Sequence, residues 1–380
     1  MSVGLFPEAT DEQRIMADSV TRVIESQCPL PAVRALAEGP GTSAGQLWRS
    51  LAELGCFRLL VSEEHGGGTL SGNGLADAAL LAAERGARLQ PGPFVATLIV
   101  AGTLSAAATE PHRATLEALA SGAATAAWAP DGIFSRPGLT VGEAAGGLTL
   151  SGVVPAVQDA DECDWILVST PAGGMTRQFL LPRSAAGLSL ARTGGLDITR
   201  RFFDLRLDDV LVPAGALPGD PAMASGLADW QVAAAAVLSA AESVGAMHAN
   251  FNLALEYSKT RVAFGRPIGS FQALKHLLAS TSLLLEMSKG VVAGAAEALG
   301  GNAADGPAMA SIARAFVSEH AVELTHNCFQ VFGGIGYTWE HDQHLYMRRL
   351  AAEAYQFGSP AWHRQRIWQL ADATKETANA

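Results

Sequence analysis

Apolar residues recur at helical spacing through the first 125 positions. Thr10-Asp11-Glu12 is a helix start, with Thr10 or Asp11 as the cap, and the amphipathic run continues through Ile24. Pro29 and Pro31 are expected to end it. A second helix carries Trp48, Leu51, Ala52 and Leu54, with Gly55 as its stop. The run Leu59-Leu60-Val61-Ser62-Glu63-Glu64-His65 enters the cluster Gly66-Gly67-Gly68, which reads as a loop. Further helices are expected over 75–86, 93–108 and 112–121.

Near Thr125 the period changes. Short apolar runs between glycines follow, among them Leu148-Thr149-Leu150, Trp165-Ile166-Leu167-Val168, Gln178-Phe179-Leu180-Leu181 and Phe203-Asp204-Leu205. Their even spacing predicts a small antiparallel sheet or barrel that ends at Asp208-Asp209-Val210-Leu211-Val212-Pro213. From Ala222 long helices return, over 230–261, 270–299, 307–333 and 341–357, with a last segment over 361–375. Four long helices on short linkers predict an antiparallel bundle. The expected domains are helical over 1–125, β over 126–221 and a helical bundle over 222–380.

Composition narrows the function. Hydrophobic residues make up 49% of the 380 and charged residues 17%, which implies large buried surfaces inside the chain or between subunits. A net charge of -11 argues against nucleic acid as a partner. Cys28, Cys56, Cys163 and Cys328 form no CxxC pair and no histidine sits at zinc spacing, so reduced core thiols in a cytoplasmic protein and no metal are expected. The opening residues contain acids and no apolar signal run. Apolar windows such as 232–241 end at Glu242 and read as too short to span a membrane.

Two glycine-bearing stretches carry the candidate chemistry. One is Arg261-Val262-Ala263-Phe264-Gly265-Arg266-Pro267-Ile268-Gly269-Ser270-Phe271-Gln272. The other is Gln330-Val331-Phe332-Gly333-Gly334-Ile335-Gly336-Tyr337. Arg261 offers a guanidinium that can grip a phosphate in a bidentate way. Gly333 and Gly334 let backbone amides approach a ligand. The pair suits a phosphate-bearing cofactor better than a metal. The alternative for Arg261 is a surface ion pair, and for Gln272 and Gln330 a capping or interhelical hydrogen bond.

The order of domains and these two stretches resemble the acyl-CoA dehydrogenase family over almost the whole chain. The first signature reads Arg261-x-x-Phe264-Gly265-x-Pro267-Ile268-x-x-Phe271-Gln272-x-x-Lys275. The second reads Gln330-x-Phe332-Gly333-Gly334-x-Gly336-Tyr337-Thr338-x-Glu340. His65-Gly66-Gly67-Gly68 and Asp197-Ile198-Thr199-Arg200-Arg201 fit as well. The resemblance implies a mainly helical fold with a central β domain, FAD as cofactor and α,β-dehydrogenation of an acyl-CoA thioester. It assigns Arg261, Phe264, Gln272, Gln330, Gly333 and Gly334 to the adenosine-diphosphate part of an FAD held by a neighbouring subunit. An electron-transferring flavoprotein is implied as electron acceptor.

The resemblance breaks where the chemistry should be. The family places its glutamate base after a tyrosine and before a glycine. Here Tyr355-Gln356-Phe357-Gly358 puts Phe357 in that seat. The family's second seat falls at Ala235, give or take one residue, among Ala233, Ala234 and Ala236. Glu242 lies seven residues further on the same helix face, roughly 10 Å along it at about 1.5 Å per residue. Glu353 lies one turn before Phe357. A satisfied buried acid is the plain reading of Glu242, and a solvated face that of Glu353. The flavin-contacting loop is replaced by Ala127-Trp128-Ala129-Pro130-Asp131-Gly132-Ile133-Phe134-Ser135-Arg136. The strand that should lie along the flavin falls near Val154-Pro155-Ala156-Val157, where proline removes a donor.

These departures match the subunit without the catalytic glutamate in heterotetrameric (α2β2) actinobacterial acyl-CoA dehydrogenases of steroid side-chain or fatty-acid β-oxidation. The expected partners are then an acyl-CoA and a second subunit that carries the glutamate. Two alternatives stay open: an active homotetramer with a relocated base such as Glu242, and a diverged flavoprotein or scaffold.

Overall fold

A computed structural model describes residues 3–7, 9–38, 45–107, 110–212, 218 and 220–378. Helices α1 (Asp11–Gln27), α2 (Leu30–Glu38), α3 (Gly45–Glu53), α4 (Gly74–Ala87), α5 (Phe94–Ala107) and α6 (Arg113–Ala120) come first. Thr10 caps α1 through a reciprocal pair: its hydroxyl accepts from the Gln13 amide at 3.2 Å and its own amide donates to the Gln13 side chain at 2.9 Å. The prolines after α1 do end it, but they also begin α2, a helix the sequence pattern missed. Proline is tolerated in a first turn, where its missing amide proton has no partner to lose.

Seven strands follow: β1 (Ala126–Pro130), β2 (Leu139–Ala144), β3 (Gly147–Gln158), β4 (Trp165–Ala172), β5 (Met175–Pro182), β6 (Leu188–Thr193) and β7 (Phe202–Val212). They form one sheet in the order β1-β4-β5 and a second in the order β2-β3-β7-β6. The pairing is antiparallel as the spacing predicts, apart from β1, which runs parallel to β4. Phe179, Ile166 and Val168 of one sheet meet Leu150, Leu205 and Leu207 of the other in a separate small core. The sheet ends at Val212, and Pro213, like Ala108 of the helix expected over 93–108, lies outside the described residues.

The rest is helical apart from a short hairpin, β8 (Val262–Ala263) with β9 (Arg266–Pro267). Around it stand α7 (Pro221–Thr260), α8 (Gln272–Gly300), α9 (Gly306–Phe332), α10 (Gln343–Glu353) and α11 (Pro360–Ala378). The apolar windows that read as too short for a membrane belong to helices of 40 and 29 residues. Length and composition would let both cross a bilayer, but α7 is mostly buried inside the molecule. Its crossing with α4 is tight enough to demand glycine. A Cβ on Gly245 would sit 1.9 Å from the Ala83 carbonyl, and one on Gly86 2.0 Å from the Glu242 carbonyl. That approach seals the middle of α7, where the alanines at 233–236 and Glu242 lie.

Candidate functional site

The two glycine-bearing stretches, some 70 residues apart in sequence, meet beside the ends of α7 and α9. The Ile268 amide donates to the Arg261 carbonyl at 2.8 Å and closes the hairpin. At its tip Phe264 and Gly265 both take positive φ, 52° and 78°, as a two-residue turn requires. Phe264 is therefore held out at 94% exposure. Its ring meets Phe271 edge-on at 6.2 Å, and the Arg266 guanidinium covers Phe271 at 4.1 Å.

On the facing side α9 stops at Gly333, whose φ of 62° and ψ of -140° suit glycine alone. A short 3-10 turn, Gly333–Tyr337, follows. An open cleft of about 740 Å³ is lined by Arg261, Gln330, Gly333 and Gly334 together with Tyr257 and Ile268. An adjoining apolar cleft of about 1000 Å³ takes in Phe264, Phe271, Leu274 and Leu277, and shares Ile268, Gln330 and Val331 with the first. Five of the six residues singled out from the sequence line these clefts. Gln272 starts α8 on the exposed surface between Phe271 and Ala273, which do line the second.

Arg261 has no carboxylate partner among the described residues, so its charge is free to meet an anion. Neither Gln272 nor Gln330 uses its side chain in a cap or an interhelical bond there. Nothing lies within 4 Å of a Cβ built on Gly333 or Gly334. A guanidinium, two free amide side chains and unobstructed backbone suit a pyrophosphate and its nucleoside.

Both seats for a base hold other groups. Ala235 is fully buried and its carbonyl accepts from the Ser239 hydroxyl at 2.6 Å. Phe357 stands at a φ of 55° and stacks on Trp128 of β1, with centroids 5.7 Å apart and planes at 23°. Phe134 lies 6.4 Å from Phe357 and 4.9 Å from Trp362. Four aromatic rings thus pack together at the position that the resemblance gives to the glutamate. Beside them Gln356 accepts from Arg200 at 3.0 Å and donates to Gln158.

Glu242 and Glu353 belong to a buried ion network. Arg200 donates to Glu242 at 2.6 Å and approaches Glu353 at 3.2 Å. Arg349 donates to Asp197 at 2.6 Å, and the Ser243 hydroxyl donates to Glu353 at 2.6 Å. Glu353 is 1% exposed, which overturns the expectation of a solvated face. It faces inward because α10 packs that side against α7 and α9. Burial raises its pKa, with the Glu242 charge adding to the effect and Arg200 and Arg349 opposing it. Burial also works against Asp197, but Arg349 and Thr199 outweigh it and leave that carboxyl below its usual value. The motif Asp197 to Arg201 therefore ties the β sheets to the bundle. Burial lowers Arg314 to about 10, and its guanidinium donates to the carbonyls of Glu353 and, at 2.7 Å, Gln356.

The strand expected along a flavin is irregular. Its pairing with β7 slips between Val154 and Val157, and Ala156 takes a φ of 55°. Pro155 and Ala156 face outward. Sequence reading missed a buried polar chain behind the aromatic rings. Trp128 donates to Ser169 at 3.1 Å, Gln178 donates to Gln231 at 2.8 Å, and Gln231 donates to Thr103 at 2.8 Å. Gln231, four residues before Ala235, was the available signal: a lone amide on an otherwise apolar helix face. Among the described residues no group of three or more His, Cys, Asp or Glu is placed to hold a metal ion, and all four cysteines are buried and unpaired.

Comparison with known proteins agrees with this architecture. The family model for the acyl-CoA dehydrogenase N-terminal domain matches residues 10–123, and that for the C-terminal domain matches 225–370. The chain is 33% identical over 351 residues to acyl-CoA dehydrogenase IpdE2 of Mycobacterium tuberculosis, covering 92% of this chain and 94% of that one. It is also 33% identical to IpdE2 of Mycolicibacterium smegmatis, covering 94% and 98%. Among solved structures, a variant of the steroid enzyme Tcur3481-Tcur3483 superposes with a TM-score of 0.85 at 25% identity, over 97% of this chain and 99% of that one. The ChsE4-ChsE5 complex from Mycobacterium tuberculosis shares the fold at a TM-score of 0.85 and 21% identity, over 95% and 97%.

Proposed function

The chain belongs to the acyl-CoA dehydrogenase family, and within it we propose that this chain is the partner subunit without a catalytic base, completing the FAD site of a second, catalytic subunit. The observation that carries this reading is the occupancy of the base seat. Phe357 is an aromatic ring packed on Trp128 and Phe134, and the two carboxylates considered as replacements, Glu242 and Glu353, are paired with Arg200. A base must present a free lone pair beside the substrate's α carbon. Glu242 and Glu353 are instead committed to a buried ion network with Arg200.

The residues fit a bound FAD at one end only. Arg261, Gln330, Gly333 and Gly334 would hold its pyrophosphate and adenosine, with Phe264 and Gln272 reaching from the hairpin side. Bound FAD supplies the acceptor for the hydrogen lost from the acyl β carbon. This chain's own share is to bind the nucleotide end, to neutralise phosphate charge through Arg261 and to keep water from the clefts with Phe264, Phe271 and Leu274. At the ring end, the Trp128-Phe357 stack and the slipped strand at Pro155-Ala156 do not fit a flavin. The site is therefore half of one.

Two further observations support a partner. Two of the fold neighbours are complexes named for two different chains. On α8, Leu283 is 60% exposed and Met287 45% exposed, an apolar face suited to a subunit contact. Steroid-derived or fatty acyl-CoA thioesters are the proposed substrates of the assembly, and an electron-transferring flavoprotein its acceptor. In the test, the chain is expressed alone and together with a base-bearing family member encoded beside it, and acyl-CoA oxidation is followed with an artificial electron acceptor. Turnover is expected only from the pair, and Glu242→Gln in this chain is expected to leave that turnover in place. Turnover by the chain alone would sink the proposal.

A further inference from the structure

The turn that carries Gly333 and Gly334 is gripped from a distant part of the chain. Gly333 and Gly334, two of its three glycines, have no side chains to pack, while Gly336 is buried and Tyr337 packs on Phe329 at 4.7 Å, so the course of the first two depends on how the ends of the segment are anchored. One end is the last turn of α9. The other end is Trp339 and Asp342, and α2 holds both. Arg34 donates through Nη1 to the Trp339 carbonyl and through Nη2 to Asp342 Oδ1, each at 2.7 Å. One turn further along α2, Glu38 accepts from the Trp339 indole at 2.7 Å. The His344 ring stacks on Trp339 with centroids 4.7 Å apart, and its Nε2–H donates to the same carbonyl at 3.0 Å. The Arg34 side chain is 18% exposed and its partner Asp342 40% exposed, so solvent screens the ion pair in part and the grip rests on the geometry of the two bonds. A single guanidinium bridging a carbonyl and a carboxylate fixes both the position and the direction of the segment leaving the turn.

We propose that Arg34, supported by Glu38, is a positioning residue that sets the Gly333-Gly334 amides for the pyrophosphate of the bound dinucleotide. This rests on the cofactor reading above. Helix α2 then acts on cofactor affinity without touching the cofactor.

The test uses the full chain assembled with its base-bearing partner and stripped of FAD, as wild type and with Arg34→Ala, Arg34→Lys and Arg261→Ala in this chain. Amide exchange over 333–340 is followed by mass spectrometry, and binding of FAD and of ADP by calorimetry. Arg34→Ala is expected to speed exchange in that segment and to weaken both nucleotides, each about tenfold. Arg34→Lys recovers part of the loss, because an ammonium reaches one acceptor but does not bridge two in a fixed plane. Arg261→Ala is expected to weaken both nucleotides and leave exchange unchanged. Should Arg34→Ala fail to fold, Glu38→Gln, which weakens the grip on Trp339, reads the same two quantities. Unchanged exchange and affinity in the α2 variants, with normal binding by the wild type, would overturn the positioning role alone. No binding of either nucleotide by the wild-type assembly would overturn the cofactor reading, and the role of Arg34 with it.

Discussion

Replacing Glu242 by glutamine separates a structural carboxylate from a catalytic one. The substitution keeps the shape of the side chain and removes its charge. Glu242 is 2% exposed and its Oε2 accepts from Arg200 at 2.6 Å. Breaking a buried pair from one side costs about 3–5 kcal/mol, because the remaining charge stays buried and uncompensated. Arg200 would keep Glu353 at 3.2 Å and the Gln158 and Gln356 side chains at 3.1 and 3.0 Å, so the lower figure applies, about 3 kcal/mol. With an unfolding entropy of about 2.1 cal/mol/K per residue, a chain of this length has about 0.8 kcal/mol/K, and the melting midpoint should fall by roughly 4 °C. Differential scanning fluorimetry of the variant gives that number, and acyl-CoA turnover of the assembled enzyme gives the second. A fall of this size with turnover retained fits the account. A wild-type midpoint with turnover lost would refute it and make Glu242 a base.

Other outcomes follow from the same contacts. Phe357→Glu restores the family's residue by name but sets a carboxylate against Trp128 and Phe134. It should cost about 2 kcal/mol and give the isolated chain no acyl-CoA turnover, read by melting and by dye reduction. Arg261→Ala should weaken FAD binding by the assembly about tenfold or more with no change in melting midpoint, since the side chain has no ion-pair or hydrogen-bond partner among the described residues; calorimetry checks it. Asp197, held below its usual pKa by Arg349, contributes stability that is complete above the unfolded value and is lost as pH falls through the folded one. Asp197→Asn should therefore melt lower at neutral pH, and the gap to wild type should narrow on acidification below about pH 4. A gap that does not narrow would show that the carboxylate's charge is not what Arg349 holds.

Much of this was legible in the sequence because it rests on local pattern. The helical periods placed α4, α5, α7, α8 and α9 within a few residues, except that α7 begins well before Trp230. The spacing of arginine, glutamine and glycine pointed to residues that the fold brings to shared clefts. What stayed hidden depends on contacts distant in sequence. Helix α2 was missed because its prolines read as a stop. Its place in the fold is fixed by Arg34 reaching residues about 300 positions away. Glu353 read as solvated because nothing in its neighbourhood announces Arg200 from the β region. Strands β1, β2 and β6 are short, and β1 pairs in parallel with a strand almost 40 residues on. The aromatic packing at Phe357 needs rings from β1, a loop and α11, which no window of sequence contains together.

Cofactor stoichiometry of the purified assembly tests the central claim most directly. The chain is co-purified with its base-bearing partner, subunits are counted by mass, and FAD is counted from its absorbance after release. One FAD per two chains is the result predicted for a subunit that contributes half a site. One FAD per chain would mean that the Trp128-Phe357 region accommodates a flavin of its own, and would contradict the account.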